Sequence, residues 1–398
     1  MYKYLILIVC MLIFYSCSEE NNREPVTSDT TIPGQVSNVQ VESLPGAVKL
    51  TYDMPPGQSL SYIKAECLIN GVVRQVKASS YVNNLIIEGF SDESTYTVNI
   101  YSVNRSEKAS EPVTVQVKPL APPFQEVYKT LQLFDGFGGA TVLFENPDEA
   151  DLAISIIHID STGFWNQGET FYTKRVKGQL SVRGFPSEET IFGVFIRDRW
   201  NNTTDTLVKT LTPLFEKQLD RLKFKEVYMP GDAQFGGWGW VMTNLWNGDV
   251  VGDNGYVTLE DGNWPHWMTM DLGVEKGAKI SRFKLYNRRN NPYLQQSIRK
   301  FEMWGSFNPN PDGSWDDWTL LLDEEIIKPS GSPYGVNTDE DLQALYGGFE
   351  FSSFPIDMPY VRYIRIKVTE TWGGDRVFNF TQVMYWGSEP DDNPSDYE

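Results

Sequence analysis

Acid pairs stand at Asp316-Asp317, Glu324-Glu325 and Asp339-Glu340-Asp341. Paired carboxylates could cleave a glycosidic bond, but that chemistry needs two of them converging across a cleft. Neighbouring acids on a strand face opposite ways, and these stand in polar, loop-like sequence, so they read as solvated charge. The only two histidines, His158 and His266, cannot make a His-rich metal site. Gly236-Gly237-Trp238-Gly239 lacks the lysine and the strand-to-helix setting of a phosphate loop. Cys67 alternates with Ile63 and Ala65 and reads as a small buried hydrophobe. No catalytic residue is expected, and the chain is read as a non-enzyme.

What remains is aromatic. Ten of the twelve tryptophans lie between Trp238 and Trp386. Trp238, Trp240 and Trp372 stand in Gly-rich loops without alternation, where an indole has few neighbours to bury it. An exposed ring can stack on the apolar face of a sugar and gives contact area at low entropic cost. Arg288, Arg289 and Asn290 follow a strand-like run and offer donors to sugar hydroxyls, or bidentate pairing to carboxylate or sulfate. These six residues are the candidate carbohydrate-binding set. Trp246, Trp267, Trp304 and Trp386 are expected in the core, the last three because they sit on strand-like alternation.

The elements that must hold these side chains are strands. Met268–Leu272, Phe283–Tyr286, Lys300–Trp304 and Tyr363–Val368 alternate apolar and polar residues, the period-2 signal of half-buried strands. Loops rich in Gly, Asn, Pro and Trp separate them. Four motifs stand in order: Leu245-Trp246-Asn247-Gly248-Asp249, Trp264-x-x-Trp267-x-x-x-Asp271-Leu272-Gly273, Ile298-x-x-Phe301-Glu302-x-Trp304-Gly305-Ser306 and Tyr363-Ile364-Arg365-Ile366-x-Val368-x-Glu370-Thr371-Trp372-Gly373-Gly374. Together they resemble the discoidin (coagulation factor 5/8 C-type, galactose-binding-like) jelly roll, over residues 219–388. The resemblance implies carbohydrate binding at loops. Many such modules hold one Ca²⁺ with an Asp of a DG turn and a Glu near the last strand. Here those positions read Asn247 and Gln382, both neutral, so no cofactor is expected; Asp249 and Asp253 are the weak candidates for a Ca²⁺ that other oxygens would have to hold.

Residues 34–120 hold seven short alternating runs with turn residues between them, and Asn70-Gly71 is a strong hairpin signal. They resemble a fibronectin-III or immunoglobulin-like sandwich. Residues 122–214 repeat the pattern: Pro55 matches Pro147, Asn104 matches Asp198, and Pro119-Leu120 matches Pro213-Leu214, at offsets of 92 to 94 positions. The fold class expected is therefore all-β, two tandem immunoglobulin/fibronectin-III-like sandwiches followed by a discoidin-like jelly-roll β-sandwich. Residues 389–398 form an acidic tail.

The N-terminus reads as an address. Residues 1–16 have a short positive start and an apolar run too short to span a bilayer. They end on Ser16, and Ser16-Cys17 after such a run resembles a bacterial lipobox whose cleavage leaves Cys17 as the lipidated first residue. The acidic run Ser18-Glu19-Glu20 resembles the lipoprotein export signal of Bacteroidetes, and residues 17–33 form a polar tether. A net charge of −19 without a basic block argues against nucleic acid as a partner. The whole order resembles surface lipoproteins of Bacteroidetes polysaccharide-utilisation (Sus-type) systems. It implies a lipid anchor in the outer membrane, a glycan ligand, and proteins of an uptake complex as neighbours. The expected function is non-catalytic glycan binding at the cell surface. The alternative is a structural or protein-interaction subunit with no glycan binding of its own.

Overall fold

The computed structural model describes residues 29–57 and 59–392. The signal segment, Cys17 and residues 393–398 lie outside the described residues. Two compact units form. One holds the described residues up to 129 with 150–152 and 197–204; the other holds 130–149, 153–196 and 205 onward.

Seven strands follow the first alternating region: β1 Ser37–Leu44, β2 Ala47–Asp53, β3 Leu60–Ile69, β4 Val72–Ser79, β5 Asn84–Glu88, β6 Tyr96–Asn104 and β7 Val113–Val117. They form two antiparallel sheets, β1-β2-β5 and β4-β3-β6-β7. The inward set, including Leu50, Ile63, Ala65, Cys67 and Ile100, makes one core. Burial pushes the Cys67 thiol up to about 11, out of the range where a thiolate would react.

A short helix, α1 (Pro123–Thr130), precedes seven more strands: β8 Gln132–Gly136, β9 Gly139–Glu145, β10 Leu152–Ile159, β11 Trp165–Thr173, β12 Lys177–Val182, β13 Thr190–Asp198 and β14 Leu207–Leu211. Their sheets run β11-β10-β13-β14 and β12-β9-β8. The internal repeat has a structural counterpart. Asn104 Oδ1 accepts from the amides of Ser106 and Lys108, and Asp198 Oδ1 accepts from those of Trp200 and Asn202. Leu120 bridges the Pro45 turn as Leu214 bridges Phe137. The same short polar side chain closes the same turn twice, which is why those positions match in sequence.

The C-terminal region adds β15 Lys217–Gln218, β16 Lys225–Val227, β17 Tyr256–Val257, β18 His266–Asp271, β19 Lys279–Tyr286, β20 Ile298–Ser306, β21 Thr319–Glu325, β22 Phe349–Phe351, β23 Tyr363–Thr371, β24 Asn379–Phe380 and β25 Gln382–Ser388. A four-stranded sheet (β15-β25-β19-β22) and a five-stranded one (β16-β18-β23-β20-β21) enclose the largest core, with β17-β24 as a separate ribbon. Met268, Met270, Phe283, Phe301, Ile364, Ile366 and Tyr385 face inward. Each large apolar side chain buried there contributes about 1.5–3 kcal/mol.

Two expectations are corrected here. Trp267, Trp304 and Trp386 are half-buried on outward faces rather than in the core. Period-2 alternation defines two faces but not which one looks inward, and the residues between them, such as Met268, Met303 and Tyr385, take the core. The acid run at 339–341 is not solvated loop charge throughout. It opens helix α2 (Asp339–Gly347), where Thr338 and Asp341 form a reciprocal cap. The Asp341 side chain is buried and accepts from Ser330 and Thr338. Burial works to raise its pKa, but those bonds outweigh it and hold the carboxyl down to about 2.

Candidate functional site

Trp238 and Trp240 sit on the loop that leaves β16. Gly237 and Gly239 flank Trp238 with φ of 99° and 76°, and Trp238 itself has φ of 57°. A bulky residue in the left-handed region is strained, and such strain persists where the surroundings over-determine it, often at binding sites. Trp238 is also 86% exposed. The loop is pinned at both ends. The Gly236 amide donates to the Val257 carbonyl at 2.8 Å, and Asn244 Nδ2 donates to the carbonyls of Gly239 (2.9 Å) and Gly255 (3.0 Å). A Cβ at Gly236 would stand 2.9 Å from the Thr258 carbonyl oxygen, so glycine is what allows the loop to lie against β17.

These anchors open a cleft of about 240 Å³ lined by Trp238, Trp240, Val257, Arg288, Gln296 and Asn379. The ribbon β17-β24 makes its floor, with Val257 paired to Asn379. Arg288 lies with its guanidinium 4.8 Å from the Trp240 ring centre and donates to Asp253 Oδ2 at 2.9 Å. Asp253 also accepts from the amides of Arg289 and Asn290 and from Asn290 Nδ2. Asn379 is 3% exposed. Its Nδ2 donates to Gln296 Oε1 at 2.9 Å, while its Oδ1 has no partner in the protein. A buried acceptor without a donor costs about 1–3 kcal/mol. The cavity is below the ~300–1,000 Å³ of drug-sized pockets; it suits one or two small rings.

The structure thus brings Trp238, Trp240 and Arg288 together. The other three of the candidate set do not line this cleft. Arg289 donates to the Tyr346 carbonyl at 3.2 Å and lies over the Tyr346 ring. Asn290 serves Asp253. Trp372 is half-buried, packs edge-on to Tyr293 with ring centres 5.1 Å apart, and carries Arg299 over its ring. Val257, Gln296 and Asn379 are lining residues that sequence reasoning missed. Asn379 stands between Phe378 and Phe380 on an aromatic strand, the one local sign of a polar group held at an apolar wall.

The Ca²⁺ reading meets a different arrangement. Gln382 Nε2 donates to the Asn244 carbonyl (2.5 Å) and to Asn247 Oδ1 (2.8 Å), and Gln382 Oε1 accepts from the Gly248 amide (3.2 Å). An amide NH₂ occupies the oxygens a cation would need. Asp249 is turned to the amides of Val251 and Gly252, and Asp253 to Arg288. These residues do not fit a Ca²⁺ site. EDTA is expected to leave the thermal midpoint of the protein unmoved; a fall reversed by added Ca²⁺ would show that other oxygens hold the ion.

A second aromatic surface lies on the outer face of the five-stranded sheet. Pro265, Trp267, Trp304, Trp315 and Lys367 line a hollow of about 380 Å³. Trp315 meets Trp267 and Trp304 edge-on at 5.3 and 5.2 Å. Beneath it Arg365, fully buried, lies 4.5 Å from the Trp315 ring and 4.3 Å from that of Trp318, and faces Asp232 at 3.7 Å.

The fold and cleft define a class: an all-β chain of antiparallel sheets whose C-terminal sandwich carries an aromatic, hydrogen-bonding cleft among its connecting loops. Residues 33–119, 120–222 and 246–387 match three domains of unknown function, DUF4959, DUF5126 and DUF5000. The solved SusE-like protein BT2857 is 32% identical, covering 67% of this chain and 100% of that one, with a TM-score of 0.46. On that identity over the full length of the relative, the chain belongs to the SusE-like proteins. A two-domain fibronectin type III segment of chicken tenascin matches at 14% identity over 45% of this chain and 99% of that one, TM-score 0.22. The fibronectin domain of human collagen alpha-1(XX) matches at 17% identity over 24% and 93%, TM-score 0.21. No curated protein matches. Among the described residues no helix is long and apolar enough to cross a membrane.

Proposed function

We propose that this chain is a non-catalytic cell-surface lipoprotein of a polysaccharide-uptake system, held to the outer membrane by lipid on Cys17. Its C-terminal sandwich, discoidin-like by its four ordered motifs, binds glycan in the cleft between Trp240 and Asn379. The observation that carries this reading is the pairing of two loop indoles with hydrogen-bonding groups in one small, open cavity. Indoles take the apolar face of a pyranose, while Arg288 and Gln296 address its hydroxyls. Membership of the SusE-like proteins supports the cellular setting. The two N-terminal sandwiches serve as spacers.

A shallow cleft of this size should bind weakly. Micromolar to millimolar affinity corresponds to about −8 to −4 kcal/mol. Glycan-array screening of the full chain, followed by affinity electrophoresis in the retained polysaccharides, tests the proposal. Retention by at least one polysaccharide is expected. Retention by none would return the chain to a structural or protein-docking role in its uptake complex.

A further inference from the structure

The chemistry of the cleft goes further than glycan in general. We infer that the cleft takes a sugar bearing a carboxylate, a uronate, with that carboxylate on Arg288 and Gln296. This rests on the glycan reading above and narrows its ligand class.

Three observations carry the inference. The first is the balance of donors and acceptors. Trp238, Trp240, Arg288 and Gln296 all line the cleft. An indole and a guanidinium donate and cannot accept. Gln296 has its Oε1 taken by Asn379 Nδ2 at 2.9 Å, which leaves its NH₂ group to offer. The acceptor beside them, Asn379 Oδ1, is buried from solvent. A sugar hydroxyl must place a proton as well as receive one, whereas an ionised carboxylate only accepts. The second is the state of Arg288, the one charged side chain lining the cleft among the described residues. Asp253 Oδ2 takes its Nε at 2.9 Å, and Asp253 is fixed in turn by the amides of Arg289 and Asn290. Trp240 lies against the guanidinium, 4.8 Å away. The arginine is thereby held in place while its terminal nitrogens keep no partner in the protein, and such a fork matches a carboxylate in two parallel bonds. The third is reach. Neither these terminal nitrogens nor Gln296 Nε2 is closed off from solvent, so a ligand can meet them. The formal net charge of −19 opposes an anion at long range, but that field is screened beyond about 10 Å at ~0.1 M salt, and a pair in contact is screened far less.

The test uses the full chain and pairs each probe with its uncharged twin: oligogalacturonate, oligomannuronate and hyaluronan fragments against the same oligomers with their carboxyls reduced to alcohols. Oligosaccharides of glucose, mannose and xylose complete the neutral set. At least one uronate should bind about tenfold or more tighter than its reduced twin, and its Kd should rise several-fold between about 50 and 500 mM NaCl as the pair is screened. This comparison is made on the unmodified chain and does not depend on any variant folding. Arg288→Gln should weaken that binding by about tenfold or more and remove most of its salt dependence, because the fork and its charge go together. Gln296→Glu keeps the acceptor for Asn379 Nδ2 but sets a like charge in the cleft, and should weaken uronate binding as well. Binding of a reduced or neutral probe as tight as that of any uronate, or uronate binding that Arg288→Gln leaves intact, would overturn the inference without touching glycan binding itself. Binding of no probe from either set would remove both.

Discussion

Trp240→Ala is expected to reduce glycan affinity by roughly 30-fold or more, enough to abolish retention in affinity electrophoresis. Central aromatic anchors in small binding sites cost about 2 kcal/mol or more on truncation, and a site worth only about −8 to −4 kcal/mol has little to spare. Stability should change far less. Trp240 is half-buried on its loop, and its clearest contact is the Arg288 guanidinium, a pairing worth about 0.5–1 kcal/mol at an exposed site. Trp240→Phe should retain much of the binding, because a ring remains to stack. Normal retention of the Trp240→Ala protein would place the glycan site elsewhere, and the Trp267–Trp304–Trp315 hollow would be the next surface to test. Trp372→Ala makes a poorer probe, since that indole packs on Tyr293 against the core and its loss would disturb folding as well.

The largest expected effect on stability falls at Arg365. Its guanidinium is fully buried between Trp315 and Trp318, donates to Thr269 Oγ1 at 3.1 Å and to the Gly313 carbonyl at 3.3 Å, and faces Asp232. Burial raises the pKa of Asp232, while the amide of Met229, Thr269 and Arg365 oppose that shift. Removing one partner leaves the other charge buried and uncompensated, which costs about 3–5 kcal/mol. Arg365→Ala should therefore show that loss in urea or thermal unfolding, together with lost order in the Trp315 side chain. The double variant Arg365→Met with Asp232→Leu should recover much of the stability, because neither charge then needs a partner. Equal losses in the single and double variants would mean that packing between the indoles matters and the charges do not.

Much of the fold was legible along the chain because alternation is a local property. Strands β18, β19, β20 and β23 lie where the period-2 runs stand, and the matched turns at Asn104 and Asp198 close hairpins in the same way. That Trp238 and Trp240 are loop indoles was also within reach, because Gly-rich sequence on either side of Trp238 leaves an indole little to pack against; that Arg288 is their neighbour was not. The face of each strand was not legible. Trp304 and Met303 carry the same alternation signal, and only the closing of the second sheet over Met303 sent Trp304 outward.

Trp372 and Trp240 both follow glycine or precede it in loops, yet their surroundings differ. Tyr293, 79 residues earlier in the chain, meets Trp372 edge-on. Arg288, 48 residues later, lies over the Trp240 ring. Contacts between residues so far apart in sequence have no local signature. The same holds for Asn379: its sequence neighbours say that it sits on an aromatic strand, but its unpartnered oxygen exists only because Gln296 arrives to hold the other end of the amide. Sequence by itself determined the strands, the repeat and the surplus of indoles in glycine loops, since each depends on neighbours within a few residues. Tertiary structure decided which indoles line the cleft, which arginine is already paired and which amide is held at its wall, since each depends on segments that meet only when the sheets close.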